Sequence, residues 1–369
     1  MKDGPGVLHR IREHVAVFDP TLTAALALLV GLSMLTMYSA AMDFPGRFEG
    51  HLRNILIAAA VLWVAANIPP GWMMRSAVPL YLLGIALLIA VALFGDISKG
   101  ARRWLNLGFG RIQPSELLKI AVPLMLAWYF QRREGGLRWY DWTIAGLILA
   151  LPAALILRQP DLGTALLVVS VGGFVIFLAG LSWKVIVALA AGGVAAAPLL
   201  WSLLHDYQRQ RVLTLLDPSS DPLGKGFHII QSTIAVGSGG LWGKGWLRGT
   251  QTHLEFIPER TTDFILAAYA EEFGLAGAGA LLIAYLLLIS RGLLIAAQAS
   301  SEFARLFAGA VTLIFFTYAF VNIGMVTGIL PVVGVPLPMM SYGGTAMLTL
   351  GLGAGLLMSI HRHRALVQT

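Results

Sequence analysis

Residues 237–274 read GSGGLWGKGWLRGTQTHLEFIPERTTDFILAAYAEEFG and lie between two strongly apolar spans. Lys244, Arg248, Glu255, Glu259, Arg260, Asp263, Glu271 and Glu272 crowd this stretch of an otherwise oily chain. Pro258 forbids a helix from running straight through. Thr261, Thr262 and Asp263 then supply cap-type side chains ahead of the apolar run FILAAYA. Asp263 is thereby an acid at the mouth of a membrane helix, with water on one side and lipid on the other. That position makes it the candidate catalytic base.

Outward from this stretch, the 369-residue chain is 57% hydrophobic and only 12% charged. A soluble domain carries about 25% charged residues, and the deficit fits a protein dissolved in lipid. The net charge of +7 comes without a dense basic run, so the cations suit lipid headgroups and phosphates rather than nucleic acid. With no cysteine, disulfides, thiolate chemistry and cysteine metal sites are excluded. Residues 21–41, behind Arg10 and Arg12, are too long for a signal h-region and read as a first anchor.

Apolar stretches of about 17–25 residues can cross a bilayer. They occupy 21–41, 52–68, 77–95, 142–158, 162–181, 184–204, 264–290, 306–328 and 339–360, with a shorter one at 114–131. The expectation is an all-α, polytopic membrane protein with a single integral membrane domain over 1–369. It has about ten transmembrane helices, with a large extracytoplasmic loop, 205–262, before the eighth. Lysine and arginine mark the cytoplasmic side of short connections. Arg75, Arg132, Arg133, Arg138, Lys184, Arg291 and Arg305 share one side, against Arg47, Arg53 and Arg158 on the other. This places the tails 1–20 and 361–369 in the cytoplasm and the loops 96–113 and 205–262 outside.

Four further polar islands interrupt the apolar pattern. In the first, Lys99, Arg102, Arg103 and Arg111 face a single acid, Asp96. They form either a solvated loop on lipid headgroups or a collector of pyrophosphate, whose oxygens match arginine forks. Glu116 and Lys119 share one helix face, as a hydrated salt bridge or as the polar wall of a substrate cavity. Asp161, behind Pro160, suits a helix N-terminus and could also help hold a divalent cation. The run GVPLPMMSYGGT at 334–345 would leave backbone groups unpaired in lipid, so it belongs at the interface or against a wet cavity. Ser341 within it is a candidate substrate-binding residue. The glycines of 237–249 do not form a phosphate loop, since Gly245 follows Lys244 and Ser238 stands where the first glycine is required. No nucleotide site is indicated.

KGARRWL with QPSELLK, RQPDLGT, GTQTHLEFIPERTTDF followed by AEEFG, and GVPLPMMSYGG occur in that order. Together they resemble the SEDS family (shape, elongation, division, sporulation) over nearly the whole chain. The PER before TTDF is closer to the family's rod-shape branch than to its division branch. The resemblance implies a ten-span membrane glycosyltransferase that polymerises lipid II into peptidoglycan, with a class B penicillin-binding protein as partner. By position, the family's essential aspartate falls on Asp263, its intramembrane pair on Glu116 and Lys119, and the acid of its QPDLG block on Asp161. A divalent cation, Mg or Mn, is implied as well, although the sequence itself shows no clear metal constellation. Arg102, Arg103, Lys244, Arg248 and Arg260 are candidate substrate-binding cations on chemistry alone.

The chemistry suits so sparse a set. A lipid pyrophosphate is already a good leaving group and needs cations rather than a proton, so one carboxylate suffices as base. Glycoside hydrolysis, with its poor leaving group, needs two. An α-linked donor and a β-linked product fit a single inverting displacement. Two other readings share these features: a flippase of lipid-linked precursors, built on a wet cavity with intramembrane charges, and a non-enzymatic scaffold for the crosslinking partner.

Overall fold

The computed structural model describes residues 17–98, 101–106, 111–133, 136–159, 161–203, 206–220, 224–254, 256–257 and 259–364. Helices dominate these residues. Helix α1 (Pro20–Ala40) begins where Asp19 accepts the Leu22 N–H at 2.8 Å, with Pro20 at a position that needs no N–H donor. Helices α2 (Arg47–Ala66) and α3 (Pro70–Phe94) follow through short turns. Then come α4 (Pro114–Gln131), α5 (Trp139–Arg158), α6 (Leu162–Leu178) and α7 (Trp183–Leu203). The segment expected as a long loop carries helices α8 (Asp206–Leu216), α9 (Lys225–Ser238) and α10 (Thr250–His253). The chain closes with α11 (Ile265–Ala297), α12 (Glu302–Val326) and α13 (Gly344–His363).

Among the described residues, α1, α2, α3, α5, α11, α12 and α13 are long and apolar enough to cross a membrane, seven helices in all. Leu162–Leu178 and the apolar part of α7, Trp183–Leu199, are shorter, and α4 carries Glu116 and Lys119. Leucines such as Leu56, Leu93, Leu147 and Leu286 are exposed on the outside of the bundle, as lipid-facing side chains should be. Helix α12 is the most enclosed of the seven, packed by α11, α6, α4 and α13. The protein is thus a multi-span membrane protein. The tails 1–16 and 365–369 lie outside the described residues.

One departure from an all-helical chain lies between α3 and α4. Strands β1 (Asp96–Ser98), β2 (Ala101–Asn106) and β3 (Arg111–Ile112) form an antiparallel sheet in the order β1-β2-β3. Trp104 pairs with Asp96, and Leu105 with Ile112. The basic loop expected from sequence is thus partly a small meander, which gives Arg103 a fixed backbone.

The expected uninterrupted span after Asp263 is also broken. Gly274, at φ +65 and ψ −162, divides α11, whose 33 residues would otherwise run about 50 Å, against a hydrocarbon core of about 30 Å. Residues 240–245 lie alongside the break. Lys244 and Gly245 donate their N–H groups to the carbonyls of Glu271 and Glu272 at 3.0 Å, and Leu275 and Ala276 donate to Gly240 and Leu241 at 2.9 and 3.0 Å. Glycine is required for this approach, because a Cβ on Gly243 would stand 2.0 Å from the Glu272 carbonyl oxygen. The glycine run that matches no phosphate loop is here a strap over a broken membrane helix.

At the opposite end of α1, Asp19 fastens three helix ends. Arg291 Nη2 pairs with it at 2.6 Å and His361 Nε2 lies 3.3 Å away. Burial raises the Asp19 pKa, but the Arg291 hydrogen bond and charge and the Leu22 N–H outweigh it and hold the carboxyl below its usual 3.8. A lowered native pKa stabilises the fold above the unfolded value and loses that effect as pH falls through the native one. Asp19→Asn should therefore lower the melting temperature in detergent at pH 7. The gap from wild type should narrow once the pH drops below about 4.

Candidate active site

The polar cavity begins at the first turn of α4. Pro114 occupies the first helical position, and Glu116 sits in the turn whose free N–H groups favour an acid. Lys119, one turn on and 2% exposed, places Nζ 2.6 Å from Glu116 Oε1 and also donates to the Tyr318 hydroxyl of α12. The Thr349 hydroxyl of α13 reaches Glu116 Oε2 at 3.1 Å. The pair is therefore both a buried salt bridge and a cavity wall, the two roles its spacing left open.

Asp161 caps α6, accepting the Thr164 N–H on Oδ1 at 3.2 Å. Its Oδ2 takes the Thr164 hydroxyl at 3.0 Å and the Gln113 amide at 3.2 Å, with Arg103 Nε 3.7 Å away. Capping does not exhaust its role, for this one carboxylate joins the sheet, α4 and α6 at the cavity.

Asp263 is held by its backbone. The N-cap of α11 is Phe264, so Asp263 stands one residue outside the capping position. The Asn322 amide of α12 donates one hydrogen to the Asp263 carbonyl and the other to Val335, each at 2.7 Å. Ser341 donates its hydroxyl to the Thr262 carbonyl at 2.6 Å and accepts the Leu337 N–H at 2.7 Å, while the Tyr342 N–H bonds the Thr261 carbonyl at 2.8 Å. Two irregular segments, 259–264 and 332–345, are thereby laced into one wall. Gly334, at φ +78, passes so close that its Cβ would touch Asp263 Oδ2 at 3.4 Å.

These parts enclose a cavity of about 550 Å³. Asp263, Glu259, Glu116, Lys119, Asp161 and Arg103 line it together, with His228, Gln113, Thr262, Tyr342 and Thr345. A second cavity, about 300 Å³ between α1, α2 and α13, is lined almost wholly by apolar side chains. Acids and cations up to 160 residues apart in sequence, Arg103 and Asp263, thus share one polar space.

Other expected residues lie elsewhere. Lys244 pairs with buried Glu271 at 2.7 Å, and the same carboxylate accepts the Gln251 and Thr252 N–H groups. Arg260, 2% exposed, pairs with Asp43 at 2.6 Å and donates to the Ala40 carbonyl at 2.9 Å. Arg248 is exposed, and none of these three lines the cavity. The charges of Lys244 and Arg260 fasten the segment before Asp263 instead. Ser341 spends its hydroxyl on backbone and also stays out of the lining. The Arg102 side chain lies outside the described residues.

Several lining groups escaped the sequence reading. Glu259 accepts the Thr262 hydroxyl at 2.6 Å, and its place in the charged stretch was the available signal. Gln113 directly precedes the α4 proline. His228 stacks on Phe264 with ring centroids 5.6 Å apart; behind the lining, Tyr318 and Asn322 sit inside an apolar helix, where no local pattern marks them.

A bundle of membrane spans around a charged cavity defines the class: a multi-span membrane protein with a buried polar site. The chain belongs to the FTSW_RODA_SPOVE family of cell cycle proteins, whose family model matches residues 19–366. It is similar to the peptidoglycan glycosyltransferase MrdB of Escherichia coli strain K12, 53% identical over 354 residues that cover 95% of both chains. Among solved structures it resembles a chain from a peptidoglycan synthase complex that coordinates polymerization and crosslinking. That match has a TM-score of 0.82 and 33% identity, covering 94% of this chain and 98% of that one. The rod shape determining protein RodA of Thermus thermophilus matches with a TM-score of 0.72 and 29% identity at the same coverage.

The burial of Lys119 alters what its removal should do. Lys119→Ala strands the Glu116 carboxylate and should cost about 3–5 kcal/mol of stability. The double variant Glu116→Gln with Lys119→Met should unfold well above the temperature that the two single losses would add up to. Thermal unfolding in detergent measures both.

Proposed function

We propose that this chain is a peptidoglycan glycosyltransferase that polymerises lipid II into glycan strands, with Asp263 as general base. The observation that carries this reading is Asp263 in one cavity with Arg103 and Lys119, at the entrance of a membrane helix. The family membership and the glycosyltransferases it resembles support the same activity.

The reaction joins an acceptor sugar hydroxyl to the anomeric carbon of a donor as the donor's lipid diphosphate departs. Asp263 takes the hydroxyl proton. Arg103 presents a guanidinium to the departing diphosphate, and Lys119, already neutralised by Glu116, contributes hydrogen-bond donation more than net charge. Inversion follows from one displacement with base and leaving group on opposite faces. Among the described residues no group of three or more acids and histidines forms a metal centre. A divalent cation would be held by lining carboxylates other than the base, Glu259 and Asp161, and would screen charge on the phosphate oxygens. We further propose residence in the bacterial cytoplasmic membrane, ten spans with both termini cytoplasmic, and a class B penicillin-binding protein as crosslinking partner.

Asp263→Asn keeps the size of the side chain and removes its charge and basicity. It should fold as wild type yet make no glycan from lipid II in detergent under conditions where wild type does; a flippase or scaffold would make none in either form. Substantial polymer from this variant would remove the base assignment. Asn322→Ala frees the two backbone segments beside Asp263, and should cut turnover by about 10- to 100-fold with little change in KM.

A further inference from the structure

The rim of this site holds a cation that the scheme above leaves unused. Arg47 is the first residue of α2, directly after Gly46, whose φ is +74. Its Nη1 donates to the Thr261 hydroxyl at 3.3 Å. Its guanidinium lies 4.7 Å from the centre of the Tyr342 ring and 5.1 Å from that of Phe44. Arg260 stacks on the same Phe44 ring at 4.9 Å, but Asp43 answers its charge. Among the described residues, no carboxylate forms an ion pair with Arg47.

An arginine in this position is not explained by local stability. The first turn of a helix is the positive end of its dipole and favours acids. Two aromatic faces nonetheless fix the guanidinium in place, which removes most of the cost of ordering it for a ligand. Thr261 lies two residues before Asp263, and Tyr342 lines the cavity. Arg47 therefore reaches the catalytic loop from the α1–α2 side, whereas Arg103 reaches the cavity from β2 beside Asp161.

We propose that Arg47 seats a second lipid-linked diphosphate, that of the acceptor, next to the one that departs. The proposal rests on the polymerase reading, in which both reacting molecules carry a lipid diphosphate. In the transfer, the acceptor oxygen bonds to the donor anomeric carbon, the carbon–oxygen bond to the donor diphosphate breaks, and the hydroxyl proton goes to Asp263. The acceptor diphosphate is unchanged, so its seat must orient without promoting departure. A single guanidinium fork on non-bridging oxygens does this. The anionic headgroup of a phospholipid offers similar chemistry, and the test separates the two.

The full-length chain in detergent is titrated with undecaprenyl pyrophosphate, and binding stoichiometry is measured by calorimetry. Wild type should take up two equivalents and Arg47→Gln one, at an unchanged melting temperature. Arg47→Lys, which keeps the charge without the fork, should retain the second equivalent about tenfold more weakly. In the polymerisation assay Arg47→Gln should raise the KM for lipid II about tenfold with kcat nearly constant. Two equivalents bound by Arg47→Gln would overturn the site. Displacement of the second equivalent by phosphatidylglycerol at equal concentration would overturn the acceptor assignment in favour of a headgroup. If wild type made no glycan, the polymerase reading would fail, while the stoichiometry would still decide whether Arg47 binds a diphosphate.

Discussion

Backbone hydrogen bonding in lipid is the constraint on which this structure depends. A membrane helix can be interrupted only where something else satisfies the freed amides and carbonyls. Here Gly274 interrupts α11, and residues 240–245 supply the missing partners. The short first half of α11, which starts just after Asp263, then ends at Gly274 instead of running on as a continuous span. The strap that makes this break tolerable belongs to the same segment that leads into the loop carrying Asp263. Glu271 reinforces it, gathering Lys244, Thr250, Gln251 and Thr252 on one buried carboxylate.

A second consequence is the distribution of charge. Most ionised groups inside the bundle are matched: Glu116 with Lys119, Glu271 with Lys244, Asp19 with Arg291, Arg260 with Asp43. Matching is what a low-dielectric interior demands, because an isolated buried ion costs several kcal/mol. Most of these pairs join segments distant in sequence, and Glu116 with Lys119 reaches Thr349 and Tyr318 on other helices, so they fix the geometry of the cavity while contributing little net field. The arginines proposed to act on a diphosphate lie instead at the edges, where water lowers the cost of a charge. Arg103 on the sheet and Arg47 at the start of α2 are of this kind.

Asp263, the proposed base, needs a different sort of support. Its backbone is held by Asn322 from α12, and its flanking residues by Ser341 and Tyr342 from the 332–345 segment. None of these bonds uses the Asp263 carboxylate. They position Asp263 through backbone groups.

From the amino-acid order alone came the membrane class, the approximate positions of the spans and the residues where chemistry is concentrated. Those properties follow from apolar length and from charges where lipid tolerates few, and both are written locally along the chain. Asp263, Glu116, Lys119, Asp161 and Arg103 were legible for that reason, and the cavity unites them. The sorting of the cations was not legible. Lys244, Arg248 and Arg260 look no different in sequence from Arg103, and only the fold shows Lys244 and Arg260 already paired and Arg248 away from the cavity. Nor could local pattern reveal Asn322 or Tyr318, which are polar groups in an apolar helix, or the meaning of the glycine at 243. Each depends on a neighbour distant in sequence, and the energy of a buried polar group is set by that neighbour rather than by its own position in the chain.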